Sequence, residues 1–381
     1  MVGQTIHTIN NTPVSQILYM AIELSNTNWK LGFTIGFGQA PRLRSLRARD
    51  LKGVEAEIKL AKKRFGLPES TAVLSCYEAG RDGFYLHRYL VKQGVTNLVV
   101  DSASIEVNRR KRRAKTDHLD VGKLLTMLMR YQQGEKKVWS IVRVPSLEVE
   151  DRRQLHRELT VLKSERTHHI NRIKGLLASQ GITISIRKDF LSRLDTIRLW
   201  DGSKLPDGLQ TLLKREYERI LLDEQHIRQL ERVRNEALRT SKDPAIEQVR
   251  QLMQLKGIGI NSAWLYVMEF FSWRNFRNRR EVGCLAGLTP TPYQSGGSNH
   301  EQGISKAGNR PIRAMAIEVA WAWLRFQPDS QLSLWYQRRF GGGSKRLRKI
   351  GIVALARKLL IALWRYLETG IPPEGACVVT R

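Results

Sequence analysis

The amino-acid sequence predicts an α/β domain followed by mainly helical regions, because the spacing of apolar residues changes along its 381 residues. In the first third, short apolar runs typical of strands alternate with segments whose apolar residues recur every three or four positions. From Ser146 onward the strand pattern fades and the helical spacing dominates. We therefore expect an α/β domain over residues 1–145, a helical arm over 146–241 and a mainly helical domain over 242–381.

Five strands and two helices are expected in the α/β domain. The strands are expected over residues 17–24, 29–36, 42–46, 71–77 and 96–100, and the helices over 51–65 and 82–93. Three antiparallel strands followed by alternating helix and strand is the order of a ribonuclease H-like fold. In that fold the ends of the first and fourth strands are adjacent.

The arm is expected to be two long helices that form an antiparallel coiled-coil hairpin, because two apolar stripes flank a segment rich in turn signals. The first stripe consists of Leu155, Leu159, Leu162, Ile173, Leu176 and Leu177. The second stripe consists of Leu209, Leu212, Leu213, Tyr217, Ile220, Leu221, Ile227, Leu230, Val233 and Leu238. His168 and His169 lie on this charged arm and are interpreted as contacts to nucleic acid or solvent.

Basic residues outnumber acidic ones by 64 to 36, giving a formal net charge of +28, which indicates a polyanionic partner. A hydrophobic content of 41% excludes a disordered chain. The cations are bunched into three clusters. The first is Arg109, Arg110, Lys111, Arg112, Arg113 and Lys115; the second is Arg338, Arg339, Lys345, Arg346, Arg348 and Lys349; the third is Arg274, Arg277, Arg279 and Arg280.

Membrane insertion and disulfide bonding are not expected. No apolar run approaches the roughly 18 residues that span a bilayer, and residues 1–16 lack a signal-peptide core, so a cytoplasmic protein is expected. Cys76, Cys284 and Cys377 are far apart in sequence and show no metal-binding spacing. We expect all three thiols to be buried.

Four acidic residues form the sharpest chemical pattern. Glu23 lies near the end of the first expected strand and Glu78 ends the fourth, while Asp117 and Asp120 are spaced to share one face at a helix start. In a ribonuclease H-like sheet these carboxylates converge, and Mg²⁺ prefers such oxygen ligands. Alternatively, each is a surface acid, and Asp117 caps its helix.

A second pattern lies at residues 255–260, which read Leu-Lys-Gly-Ile-Gly-Ile. This segment is typical of a helix-hairpin-helix turn, in which backbone N–H groups face a phosphate, so Lys256, Gly257 and Gly259 are candidate nucleic-acid contacts. The same glycines also suit an ordinary helix C-cap.

Several stretches resemble DEDD-type insertion-sequence transposases, the family of bridge-RNA-guided DNA recombinases. They are YMAIEL, CYEAGRDGF and RRAKTDHLDVGKLL near the N-terminus, and LKGIGINSAWL, LAGLTPTPYQSGGS and ISKAGNRPIRAMAIEVA near the C-terminus. The resemblance implies a RuvC-like domain over 1–145 and a serine transposase domain over 242–381. It also implies that Glu23, Glu78, Asp117 and Asp120 form an acidic tetrad that binds Mg²⁺. The family's first acid is usually Asp, whereas this sequence has Glu23.

The same resemblance implies that Ser295, in YQSGGS, is the nucleophile that forms a covalent phosphoserine with DNA. Ser298 and Ser305 are neighbouring alternatives, and His300 is either a base or a solvated loop residue. Lys306, Arg310 and Arg313 follow closely enough to stabilise the charge that develops on a phosphate.

The partners implied by the resemblance are donor and target DNA, an element-encoded guide RNA and further copies of the chain in a dimer or tetramer. Two other functions remain open from the residues. One is a metal-dependent, junction-resolving nuclease that uses the four acids alone, and the other is a non-catalytic nucleic-acid-binding protein.

Overall fold

The computed structural model describes residues 16–81, 83–105, 117–295 and 298–379; for residues 103, 117–119, 293–295 and 298–302 it describes the backbone alone. The chain divides into two units, residues 1–144 and 145–381. The first unit is built on a β-sheet, and the second is mainly helical. This arrangement confirms the predicted succession of α/β and helical parts.

The first unit contains a five-stranded mixed sheet in the order β3-β2-β1-β4-β5. The strands are β1 (Leu18–Glu23), β2 (Asn28–Thr34), β3 (Arg42–Arg47), β4 (Val73–Glu78) and β5 (Thr96–Val100). The first three strands pair antiparallel, whereas β4 runs parallel to both β1 and β5. The predicted adjacency of the first and fourth strands is therefore confirmed.

Helices cover both faces of this sheet: α1 (Leu51–Arg64) and α2 (Tyr85–Lys92) on one face, and α3 (Asp117–Gln132) on the other. Alternation along β1 produces this arrangement, because Met20 and Ile22 point to the first core and Ala21 to the second. All three residues are fully buried.

Gly32 in β2 allows α3 to lie close to the sheet. A Cβ atom at this position would lie 2.4 Å from Val121 Cγ1 and 2.9 Å from Leu125 Cδ1, so any side chain would push the helix away. Asp120 directly precedes Val121 and depends on the same close approach for its position.

The second unit begins with two long helices, α4 (Leu147–Ala178) and α6 (Asp207–Thr240), with the short α5 (Phe190–Leu194) between them in sequence. The long helices run antiparallel, since Lys163 of α4 pairs with Glu231 of α6, whereas the later His169 pairs with the earlier Glu216. Apolar side chains from both helices, including Leu159 and Ile227, are buried between them.

The buried face of α6 differs from the predicted stripe. Leu221 and Val233 are 42% and 56% exposed, whereas Asp223 and Arg234 are buried. Helical geometry explains the difference: Asp223 and Arg234 are three and fourteen residues beyond the buried Ile220, which keeps them on its face, whereas Val233 is turned away from it.

His169 was interpreted as a solvent or nucleic-acid contact, but its Nδ1 lies 2.7 Å from Oε2 of Glu216, whose side chain is fully buried. Burial alone would raise the pKa of Glu216, but the contact with His169 and the nearby Arg172 and Arg219 outweigh it and lower the pKa. This histidine therefore helps to hold α4 and α6 together.

The remaining helices pack around a large core that belongs to the second unit. They are α7 (Pro244–Met253), α8 (Ile260–Tyr266) with a following π-helical turn (Val267–Phe271), α9 (Arg279–Leu285), α10 (Arg310–Phe326), α11 (Gln331–Tyr336) and α12 (Lys345–Thr369). A hairpin of β6 (Pro290–Ser295) and β7 (Ser298–Ile304) separates α9 from α10 and was not predicted.

A buried carboxylate joins α4 to this core. Glu269, in the π-helical turn, accepts hydrogen bonds from Arg153 Nε at 2.9 Å and Arg157 Nε at 2.7 Å. Arg274 lies nearby and stacks on Trp273 at 4.1 Å. The base of α4 is therefore fixed to the helical core by ion pairs.

The cysteine expectation is correct only for Cys76, which is buried, whereas Cys284 and Cys377 are exposed. Cys284 lies on the outer face of α9, where neighbouring Val282 and Gly283 occupy the buried positions. Across the described helices, none has the length and apolar character required to cross a bilayer.

Candidate catalytic residues in the two units

Glu23 and Glu78 end adjacent parallel strands. The register pairs Ile22 of β1 with Tyr77 of β4, so the two glutamates are the next residues along neighbouring strands. Because parallel strands end at the same edge of a sheet, their carboxyl groups lie at one edge. Strand pairing alone therefore brings together two residues that are 55 positions apart in the sequence.

Asp120 joins them from the other face of the sheet. It lies one turn into α3, and together with Glu23 and Glu78 it lines a cavity of about 680 Å³. Asp117 is the first residue of α3, and its side chain lies outside the described part of the chain. Three members of the proposed tetrad therefore share one cavity.

The chemistry of this donor set suits Mg²⁺, which prefers carboxylate oxygens and usually retains several waters. Among the side chains that the structure describes, however, no three acidic, histidine or cysteine residues lie close enough together to hold one ion. Glu23, Glu78 and Asp120 thus supply the right ligand type around a space larger than a single ion.

Three further cavity residues were missed by the sequence analysis: Arg81, Ser102 and Lys123. Lys123 could have been found, because it lies three residues after Asp120 and so on the same helical face. Ser102 follows β5, the strand next to β4, and its position depends on strand order. These residues bring positive charge and a hydroxyl group to the cavity edge.

Ser295 is the last residue of β6, where it pairs with Ser298, the first residue of β7. The two intervening residues, Gly296 and Gly297, lie outside the described residues. The candidate nucleophile therefore lies at the end of a β-hairpin, where no strand was predicted.

The base of the hairpin is closed by backbone hydrogen bonds. Lys306 N donates to Gly287 O at 3.2 Å, and Asn309 N donates to Leu285 O at 2.8 Å. Gly308 has φ +125°, and a Cβ there would lie only 2.4 Å from Leu285 O. Glycine is therefore required where the two chain segments cross.

The three cations predicted near the nucleophile have different surroundings. Lys306 and Arg310 are exposed and available to a phosphate. Arg313 instead donates from Nη1 to the carbonyls of Lys306 at 2.9 Å and Ala286 at 3.4 Å. Its guanidinium group therefore holds the hairpin base, a contact that the sequence analysis did not anticipate.

Of the alternative serines, Ser305 is poorly placed for attack, because its Oγ is buried and has no hydrogen-bond partner among the described residues. Ser298 occupies the hairpin position opposite Ser295. The side chains of Ser295, Ser298 and His300 lie outside the described part.

The turn between α7 and α8 has the glycine geometry expected of a tight connection. Gly257 has φ +88°, and a Cβ there would lie 3.4 Å from Phe326 Cβ, so the turn packs closely on the end of α10. Lys256 has an exposed side chain, while its N–H group donates to Cys377 O at 3.3 Å and its carbonyl accepts from Gln327. Gly259 caps the start of α8.

The basic clusters differ in exposure. The first, at residues 109–115, lies outside the described residues. In the third, Arg277, Arg279 and Arg280 are exposed, but burial, followed by the nearby Arg153, lowers the pKa of Arg274 to about 10. All six cations of the second cluster are exposed.

Residues 249–334 match the profile of the family described as "Transposase IS116/IS110/IS902 family". This span contains the turn at Gly257, the hairpin with Ser295 and helix α10. It therefore covers the C-terminal candidate site.

Similarity to curated proteins extends over nearly the whole chain. A putative transposase, y4rJ, of Sinorhizobium fredii is 41% identical over 381 residues, covering 95% of both chains. The transposase of insertion sequence element IS1328 of Yersinia enterocolitica is 27% identical over 55% of this chain and 60% of its own. That of IS1111A of Coxiella burnetii is 26% identical over 63% of this chain and 62% of its own.

Proposed function

The chain belongs to the IS116/IS110/IS902 family of transposases, and from this DNA-rearranging activity we propose that it cuts and rejoins DNA through a covalent bond to Ser295. The observation that carries the proposal is the hairpin that ends at Ser295, with the exposed cations Lys306 and Arg310 at its base. Five residues of strand, or roughly 17 Å at about 3.3 Å per residue, separate Ser295 from this base, so the cations suit neighbouring phosphates of the bound DNA rather than the phosphate attacked.

The proposed exchange conserves bonds. Ser295 Oγ loses its proton to a base and bonds to phosphorus, and the bond from phosphorus to one DNA oxygen breaks, with that oxygen taking up a proton. A hydroxyl group at another DNA end then loses its proton and bonds to the same phosphorus, while the bond from phosphorus to Ser295 Oγ breaks and that oxygen takes up a proton. His300 is a candidate for the base because it lies in the opposite strand of the same hairpin.

We further propose that the first unit is a ribonuclease H-like, RuvC-like domain whose acidic cavity assists this exchange. The strand order β3-β2-β1-β4-β5 and the shared cavity of Glu23, Glu78 and Asp120 support this assignment, with Asp117 as the fourth acid. A Mg²⁺ ion bound there would stabilise negative charge on phosphate oxygens. Lys123 and Arg81 would attract the DNA backbone to the cavity edge.

The remaining proposal concerns nucleic-acid partners. A net charge of +28 supports binding to more than one nucleic-acid molecule, and we propose donor DNA, target DNA and a guide RNA that selects sites by base pairing. Candidate contacts are Lys256, Gly257, Gly259, Lys306, Arg310 and Arg313, together with the cluster from Arg109 to Lys115. A dimer or tetramer would bring together the two DNA molecules that are exchanged.

A covalent adduct tests the nucleophile. Wild-type protein given the DNA ends of its element and the RNA transcribed from it should yield a protein–DNA species that survives denaturation. Ser295→Ala should yield none while still shifting the same DNA in a gel, and Ser298→Ala should retain the adduct. An adduct that persists in Ser295→Ala would reject this serine.

The second candidate function is a metal-dependent nuclease that uses the acidic cavity alone, and it is favoured by the three carboxylates that share that cavity. Cleavage by Ser295→Ala that is lost in Asp120→Asn would support this function. If both variants bind DNA as well as the wild-type protein but neither cleaves it, the mechanism needs both Ser295 and the acidic cavity.

A further inference from the structure

The π-helical turn that follows α11 and the beginning of α12 carry a surface of uncompensated positive charge. No acidic residue occurs from Ser330 to Leu367. This segment holds the six exposed cations of the second cluster, which we call the α12 basic surface: Arg338, Arg339, Lys345, Arg346, Arg348 and Lys349. Among the described residues, none of the six forms an ion pair.

The position of four of these cations is electrostatically unfavourable for the isolated protein. Lys345, Arg346, Arg348 and Lys349 lie at the N-terminus of the 25-residue helix α12, where the helix dipole favours negative charge. Helix α4, by contrast, follows that rule, with Glu148 and Glu150 in its first turn. An anionic partner would compensate the charge that α12 concentrates at its start.

The fold holds all six cations together. Arg338 and Arg339 lie in a π-helical turn, Gln337–Gly341, and Phe340 of this turn packs so closely on Gly351 that a Cβ there would lie 2.4 Å from its ring. The hydroxyl group of Tyr336 donates to Arg348 O at 3.3 Å. The turn is thus fixed beside the first turns of α12.

We infer that the α12 basic surface binds the phosphate backbone of duplex DNA. Cations spread over two helical segments suit an extended polyanion rather than one small anion. Single-stranded nucleic acid is usually bound on exposed aromatic rings, but here Trp335 packs against Phe340 at 5.5 Å and is covered by Lys358 at 4.6 Å. Duplex DNA is the polyanion on which a transposase acts.

The test removes four charges and measures the salt dependence of DNA binding. Lys345, Arg346, Arg348 and Lys349 are replaced together by Gln, and affinity for a 30-base-pair duplex is measured by fluorescence anisotropy at increasing salt. If all four contact phosphates, the slope of log K against log salt should become shallower by about 3 to 4, since each contact contributes about 0.9.

A matched control removes the same charge from cations that already have acidic partners: Arg44, Arg193, Arg228 and Arg239, each replaced by Gln. The control should change the slope by less than 1. Equal slope changes in the two variants would show that net charge, not this surface, determines binding and would overturn the proposal.

Thermal unfolding separates a binding surface from a structural one. Removing four cations from the positive end of α12 should leave the unfolding midpoint unchanged or raise it. A lowered midpoint would contradict the proposal, because the cations would then stabilise the fold. The proposal would also be contradicted if the slope stayed unchanged with duplex DNA but became shallower with an RNA hairpin. The surface would then bind RNA.

This surface would contact DNA whether or not Ser295 is the nucleophile. If the variant with four Gln residues binds DNA more weakly but forms the adduct at high DNA concentration, the α12 basic surface is supported. If wild-type protein forms no adduct, only the proposal for Ser295 fails.

Discussion

Glu269 is a buried acidic residue whose charge contributes directly to the stability of the fold. The residue is 5% exposed, and its carboxylate accepts hydrogen bonds from Arg153 and Arg157, while Arg274 lies close by. Burial by itself would raise the pKa of Glu269, but the two hydrogen-bonded arginines outweigh it and hold the pKa below the usual 4.5. The carboxylate therefore stays ionised and neutralises a cluster of arginines.

Replacing Glu269 by Gln should lower the free energy of unfolding by about 3 kcal/mol, because it leaves buried arginine charge without its partner. A carboxylate with a depressed pKa contributes stability that is present above its unfolded pKa and is lost as pH falls through the folded one. Wild-type stability should therefore drop below about pH 4.5, and this part of the drop should vanish in Glu269→Gln. Urea titrations at several pH values measure both effects. Equal pH profiles for the two proteins would contradict this account.

At the scale of elements, the β6–β7 hairpin depends on its crossing point. Gly308→Ala should cost more stability than the roughly 1–2 kcal/mol of a left-handed backbone alone, because the new Cβ would collide with Leu285 O. Gly303 has φ +85°, but a Cβ there would meet no atom of the described, non-neighbouring residues within 4 Å. Gly303→Ala should therefore cost only the backbone strain. Adduct formation by Ser295 should fall in the first variant more than in the second. If the two variants lose the same stability and form the same amount of adduct, the close contact between Gly308 and Leu285 does not determine the position of the hairpin.

The same hairpin could not have been predicted from its residues. Pro290 and Pro292 argue against a strand, since proline cannot donate to a ladder, yet the register shift between them accommodates both at an edge. Strands β1 to β5 were predictable because each is an apolar run bounded by turn residues. The pattern of apolar residues did not predict the buried face of α6, where packing geometry buries Arg234 and exposes Val233. Arg234 Nη1 donates a hydrogen bond to Asn261 Oδ1 at 2.7 Å.

At the scale of the whole molecule, charge should dominate nucleic-acid binding. With a net charge of +28, affinity for DNA should fall by a factor of at least about 1,000 between 50 and 200 mM salt if six or more phosphates are contacted. Charge reversal at Arg110 and Arg112 should flatten this dependence, whereas reversal at the paired Arg193 and Arg239 should flatten it less. An unchanged slope for the first variant would make residues 109–115 a merely solvated face.

The two candidate sites were predictable to different degrees. Strand order is enough to bring Glu23 and Glu78 to one sheet edge, so the acidic cavity follows from topology. Arg81, by contrast, comes from the connection after β4, whose path depends on tertiary packing. The role of Arg313 was not predictable, since nothing in its sequence position indicates that it donates to two backbone carbonyls.

The ion pairs at Glu269 also make α4 a lever. From Arg157 to Ala178 the helix runs 21 residues, or about 32 Å at 1.5 Å per residue. A rotation of ten degrees about Arg157 would move the far end of α4 by roughly 5 to 6 Å. This is about one and a half times the roughly 3.4 Å rise between successive base pairs. Arg153 and Arg157 are about 6 Å apart along the helix axis. A relative shift of about 1 Å between their contacts with Glu269 would thus displace the tip by more than the rise between successive base pairs.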